Sequence, residues 1–151
     1  MNTHHSRETY LHELALIIRA LFWQGHKQSV VTMEELGLTL PQAIMLFALE
    51  ANGGRSNMSE LASLTQQSAG TVTGIADRLI AAGLVERERD EEDRRVVWLA
   101  LTDIGRAKIV EINVRREADV TAMTTMFDDD EIIQFTGLMR RLLASVEALT
   151  K

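Results

Sequence analysis

The periodicity of the chain changes between Ser59 and Leu101, and that change narrows the fold more than any other feature of its 151 residues. Apolar residues first recur at helical spacing (Val72, Ile75, Ala76, Leu79 and Ile80), marking one buried face of a helix. After Gly83 the pattern becomes that of strands. Leu84-Val85 forms one run. Val96 to Leu101 forms the other, where Val97, Leu99 and Leu101 alternate with Val96, Trp98 and Ala100. Between them stand ten consecutive charged residues, Glu86 to Arg95, six acids and four arginines. Such a run on its own reads as a solvated loop with internal ion pairs. Its setting changes that reading.

Ahead of this segment, "MSELASL" reads as a short helix capped by Ser59. Thr65 to Gln67 reads as a tight break before a second helix capped by Ser68. Short helix, tight turn, helix and charged hairpin is the order of a winged helix-turn-helix. In that arrangement the second helix lies in the DNA major groove and the hairpin reaches the backbone or minor groove beside it. A wing tip needs cations for phosphate or a narrow minor groove, yet must resist edge-to-edge pairing when DNA is absent. Acids interleaved with arginines answer both demands.

The flanks read as helices, so the expected fold class is mainly α with a minor β part. A helix is predicted from Arg7 to about Gln24, with Leu11, Leu14, Ile18 and Leu21 three and four apart, followed by a polar stretch from Gln24 to Thr32. "MEELGLTL" is a short helical turn stopped by Gly37. Thr39 caps the next helix, with the single proline, Pro41, in its first turn, and Asn52-Gly53-Gly54 stops it. Thr102 caps a long helix to about Met126. Asp128 caps the last one, in which Ile132, Phe135, Met139, Leu142, Val146 and Leu149 form a coiled-coil-like seam. Three regions follow: an N-terminal helix over 1–34, a winged helix-turn-helix over 35–102, and C-terminal helices over 103–151. The seams on the first and third would expose apolar stripes unless a second copy covers them, so both are expected to form a homodimer interface.

Composition removes several alternatives. The chain has no cysteine, which excludes disulfides, thiolate metal sites and thiol-based sensing. Its net charge of -6 argues against an indiscriminate nucleic-acid binder, so any DNA contact rests on where arginines are placed. The first apolar run is cut by Arg19, too short for a membrane span or an export signal, and a soluble cytoplasmic protein is expected.

The segments "LTLPQAIMLFAL", "MSELASLTQQSAGTVTGIADRLIAAGLVER" and "RDEEDRRVVWLALTDIGR" resemble the MarR family of transcription regulators over roughly Leu36 to Arg106. The resemblance implies a homodimer on a palindromic double-stranded DNA operator. It also implies release by a small molecule, often an aromatic acid or another phenolic compound. Carried over residue by residue, it places Arg95 in the minor groove, oriented by Asp93, with Arg94 a second phosphate or groove contact. Asp77 and Arg78 match a helix pair that braces the wing or touches the backbone. Ser68, Thr71 and Thr73 match polar positions that meet phosphate or base edges. This chain departs from the family's pattern at Gly74, where a basic or larger polar residue is common, and at Gly70, where a serine-like one is. Gly70, Thr71, Gly74, Arg78 and Ala81 share the outward face, which is nearly bare. Specificity is therefore expected to lean on Gln66, Gln67, Thr71 and DNA shape.

Blander readings stand beside these. Ser68, Thr71 and Thr73 also suit capping and surface filling, and Asp77 and Arg78 an ordinary structural ion pair. His4, His5, His12 and His26 all lie near the N-terminus. His5 and His12 could share a helix face, but no carboxylate or third histidine completes a convincing metal set with them, so no metal and no cofactor is expected. Phe22, His26, Met45 and Phe47 are candidate walls of an effector pocket, though Phe22, Trp23, Met45, Phe47 and Trp98 also fit core or dimer packing. No Ser-His-Asp set or glycine-rich phosphate loop points to an enzyme. The alternative function is a dimeric helical protein-interaction module that kept the winged fold without DNA binding.

Overall fold

In a computed structural model of the chain, residues 6–89 and 97–149 are described. The elements run α1 (Arg7–Glu35), α2 (Leu40–Ala51), β1 (Arg55–Asn57), α3 (Met58–Thr65), α4 (Ala69–Ala81), β2 (Val85–Arg89), β3 (Val97–Leu101), α5 (Asp103–Met123) and α6 (Asp129–Leu149). The chain divides into two compact units, the first ending at Ile112 and the second beginning at Asn113. The first holds the core, where Met45, Leu46, Leu49, Leu61, Val72 and Leu79 are fully buried with Leu99 and Ile109. In the second, α6 has no buried residue, and its apolar positions lie open.

Helix α1 is longer than its sequence pattern predicts. It runs unbroken through the polar stretch to Glu35, and "MEE" is its last turn rather than a separate piece. The polar residues carry no apolar periodicity, but Thr32 and Met33 bury against the core and hold the distal end helical. It stops at Gly37 (φ 73°), with the Leu38 amide donating to the Met33 carbonyl and the Gly37 amide to Glu34, a Schellman closure. Helices α2 and α4 end in the same way, at Gly53 and Gly83. Helix α3 does too, but there the left-handed residue is Gln66 (φ 52°), with the Gln67 amide donating to Ala62 O at 3.0 Å.

The cap of α3 also differs from expectation. Asn57, not Ser59, accepts from the Ser59 and Glu60 amides at 3.1 and 2.9 Å, and Glu60 reaches back to the Asn57 amide at 3.3 Å. The Glu60 carboxylate also accepts from buried Ser56 at 2.7 Å, and these hydrogen bonds, Ser56's foremost, pull its pKa below the ordinary value. The caps expected of Thr39, Ser68 and Asp128 are present, and the Thr39 cap is a full capping box with Gln42.

The sheet has the order β1-β3-β2, antiparallel throughout. Strand β1 has no β-forming residue to announce it and exists through backbone pairing, Arg55 to Ala100, Ser56 to Leu99 and Asn57 to Trp98. Strand β2 continues past Val85 to Arg89, so four residues of the charged run are ladder rather than loop. Their alternation sends Arg87 and Arg89 to the same face as Val85, and Glu86 and Glu88 to the other.

One joint ties the pieces of the first unit together. Thr102 caps α5, accepting from the Gly105 amide at 3.0 Å, and its hydroxyl donates to Gly83 O at 2.7 Å. The Thr102 amide donates to Leu84 O at 3.2 Å, and the Leu101 amide to Gly54 O at 2.8 Å. Gly105 presses so closely on this joint that a Cβ there would overlap the Leu84 carbonyl oxygen. Gly105→Ala is therefore expected to lower the unfolding free energy by about 2–3 kcal/mol through forced backbone displacement, read by urea denaturation at fixed protein concentration. Gln66→Gly is expected to do the opposite, raising stability by about 1 kcal/mol by relieving a left-handed side-chain-bearing residue. A fall in the midpoint of that variant would contradict the assignment of strain to the turn.

Candidate nucleic-acid interface

Helix α4 divides its faces cleanly. Val72, Ile75, Ala76 and Leu79 are buried, whereas Gly70, Thr71, Arg78 and Ala81 are exposed and Gly74 is half-buried. A side chain at Gly70 or Gly74 would meet nothing within 4 Å, and neither residue has a positive φ. Internal packing therefore does not require glycine at either place. The bare strip lies open to something outside the chain. No acid occupies the first turn of α4, so the positive end of its dipole is unopposed there.

The polar residues at this end are partly committed to local structure. The Ser68 hydroxyl accepts from the Thr71 amide at 3.2 Å and shares a 2.8 Å hydrogen bond with the Thr71 hydroxyl. Thr73 Oγ1 donates to Ala69 O at 2.9 Å. All three stay exposed and keep lone pairs for another donor. The two glutamines of the turn separate: Gln66 is exposed, while Gln67 is half-buried and its amide oxygen has no hydrogen-bond partner among the described residues. Gln66 is the glutamine better placed to reach outward.

Strand β2 is fastened to α4 by an ion pair. Arg87 Nη2 donates to Asp77 Oδ1 at 2.6 Å, with both side chains about half exposed at 50% and 55%. An exposed pair of this kind contributes no more than about 1 kcal/mol to stability. It joins the strand to the exposed side of the helix at one point. Asp77 thus pairs with Arg87 and not with Arg78, which makes no ion pair among the described residues. The bracing role that the resemblance implied for Asp77 is present, but its partner, ten positions away on the wing strand, was not named from the sequence. On the other sheet face Arg55 lies 4.4 Å from the centre of the Trp98 ring and 3.9 Å from Glu88, linking all three strands. Arg89, which sequence reasoning also passed over, follows Arg87 on the α4-facing side. Asp93, Arg94 and Arg95 lie outside the described residues.

The candidate pocket residues disperse. Met45 is fully buried in the core, Phe47 packs against that core, and Phe22 is 81% exposed. His26 alone of the four lines a cavity of about 300 Å³ between α1 and α2, with Val30, Glu34, Thr39, Leu40, Pro41 and Ile44. The expected seam residues are all open: Leu11, Leu14, Ile18 and Leu21 on α1, and Ile132, Phe135, Met139, Leu142, Val146 and Leu149 on α6. Among the described residues no group of histidines and carboxylates could hold a metal ion, and no single helix is long and apolar enough to cross a membrane.

Comparison with known proteins agrees with this geometry. A profile described as MarR family matches residues 36–96, which takes in α2 through β2. The chain is similar to the transcriptional repressor MdtR of Bacillus subtilis, 29% identical over 94% of this chain and 91% of that protein. It is 31% identical to the HTH-type transcriptional regulator YsmB of the same organism, over 73% of this chain and 75% of the relative. Among solved structures, a MarR family protein from Bacillus stearothermophilus superposes with a TM-score of 0.83 at 26% identity, covering 95% of this chain and 99% of the other. A winged helix with an open reading face, a wing strand fastened to it, and relatives that match nearly end to end lead to one conclusion: the chain belongs to the MarR family of transcription regulators.

Proposed function

We propose that the protein binds double-stranded DNA as a homodimer and regulates transcription, acting as a repressor that a small ligand releases. The observation that carries this reading is the outward face of α4. It offers Thr71, Arg78 and two glycines with no packing role, flanked by a wing strand held through Arg87 and Asp77. Small residues let a helix sit deep in the major groove, with Thr71, Gln66 and Arg78 as its contacts. Arg95, oriented by Asp93, and Arg94 as a second phosphate or groove contact are the wing contacts that the resemblance implies, and Arg89 on β2 is a further cation for the backbone. The similarity to MdtR, a repressor, supports the direction of regulation. A protein of this kind works in the cytoplasm, without a cofactor and without catalysis.

The dimer is proposed from the open seams. Helix α6 buries nothing within the chain, and α1 buries only Thr32 and Met33 along its 29 residues. Two long helices with apolar stripes in water are stable only when those stripes meet a partner, and a second copy supplies the matching surface. The regions 1–34 and 103–151 would form that interface, leaving 35–102 to the DNA. The cavity beside His26 is where a releasing ligand would enter.

Three measurements test the proposal. Arg95→Ala should weaken binding to a palindromic duplex, with half-sites about 10 base pairs apart, by about 1–3 kcal/mol while fold and assembly are kept. Unchanged affinity in a gel-shift titration would remove the wing contact. Affinity should also fall steeply with salt, since binding that ignores salt would favour a protein partner held by apolar seams. For the dimer, Leu142→Glu places a charge in the α6 stripe, and sedimentation should shift from dimer to monomer with loss of DNA binding. A variant that still sediments as a dimer would place the interface elsewhere.

A further inference from the structure

The cavity between α1 and α2 has a one-sided charge. Along α1 its wall reads His26, Val30 and Glu34, one residue per turn over about 12 Å of helix. The facing wall is Leu40, Pro41 and Ile44, with Thr39 at the rim. Glu34 is the only Asp, Glu, Lys or Arg in the lining, and it makes no ion pair among the described residues. It sits in the last turn of α1, which carries no basic residue, so the negative end of the helix dipole reinforces its carboxylate.

Two features that could favour an anion are reduced, the first to the Leu40 amide alone. Helix α2 turns its N-terminus toward this wall, but Pro41 has no amide hydrogen, and the Thr39–Gln42 capping box occupies the Gln42 amide. The cation that reaches this end of α1 from α5, Lys108, is held by Leu36 O at 3.3 Å and by Glu111 at 2.6 Å. The resemblance to the family implies aromatic acids as ligands; the wall of this chain has the opposite sign.

We propose that this cavity takes a small organic cation with an apolar, preferably aromatic, body, the charged end at Glu34 and the body between Val30, Leu40, Pro41 and Ile44. The proposal deepens the ligand response and rests on it for its effect on DNA, but binding itself can be measured without DNA. The volume suits one bicyclic ring with a short charged arm.

The test is calorimetric titration of the full chain with three ligands of one shape: 1-naphthylmethylammonium, 1-naphthalenemethanol and 1-naphthoate. The ammonium should bind about tenfold tighter than the carboxylate, as expected for one unscreened charge at a partly exposed site, with the alcohol between them. Glu34→Gln should collapse that spread to about twofold. Ile44→Trp, which fills the cavity from the exposed side of α2, should abolish binding of all three. Equal or tighter binding of the carboxylate overturns the proposal, as does a cation preference that survives Glu34→Gln, binding that survives Ile44→Trp, or no heat from any of the three. Gel shifts on the same samples without ligand separate the outcomes. Loss of DNA binding there would count against the proposed function and leave the cavity result standing.

Discussion

The structure hangs on the close approach of α5 to the end of α4. Gly105 leaves no room between its own backbone and the Leu84 carbonyl, and Thr102 hydrogen-bonds Gly83 and Leu84 from the same turn. Because Leu101 is bonded in turn to Gly54, the end of α2, the sheet and the end of the reading helix meet at one point. Two of these are backbone hydrogen bonds and one comes from the Thr102 hydroxyl. They fix orientation more than they add stability, since each contributes about 1 kcal/mol net. The proposed reading, in which α4 presents its outer face to a rigid duplex, needs the inner face and C-terminus of that helix immobilised, and here both are.

Much of this was legible in the sequence where the determinants are local. The α4 stripe, the Ser68 cap, the Thr39 box with Pro41 behind it, and the Asp128 cap depend on residues three or four apart, and the structure has each of them. What was not legible depends on partners distant in the chain. The polar middle of α1 has no periodicity of its own and stays helical because Thr32 and Met33 find the core. The three residues of β1 have no strand propensity and are ordered by β3. At α3, Asn57 and Ser59 are both good caps two residues apart, and the decision falls to Glu60, which can reach back only to Asn57. The site divides in the same way. The residue types on α4 were readable, but which acid held which arginine was not, since Asp77 and Arg87 come together only through the fold.

The turn between α3 and α4 shows a choice made against stability. Three helices of this chain close on glycine, and the fourth, in the reading motif, closes on Gln66. Glycine would be less strained there, but it would leave nothing to extend beyond the backbone. Its neighbour Gln67 turns its amide oxygen inward. The pair therefore combines one side chain kept near the interior with one held out at a conformational cost of about 1 kcal/mol.

The half-exposed brace between Asp77 and Arg87 has a consequence for how the surface answers to its medium. Mobile ions that crowd a polyanion and displace a bound protein also shield this pair from each other. Raising the ionic strength would then loosen the angle of the wing while it weakens the grip of the wing. The logarithm of affinity against the logarithm of salt would bend downward instead of falling on a straight line, and the bend would vanish once the pair is removed.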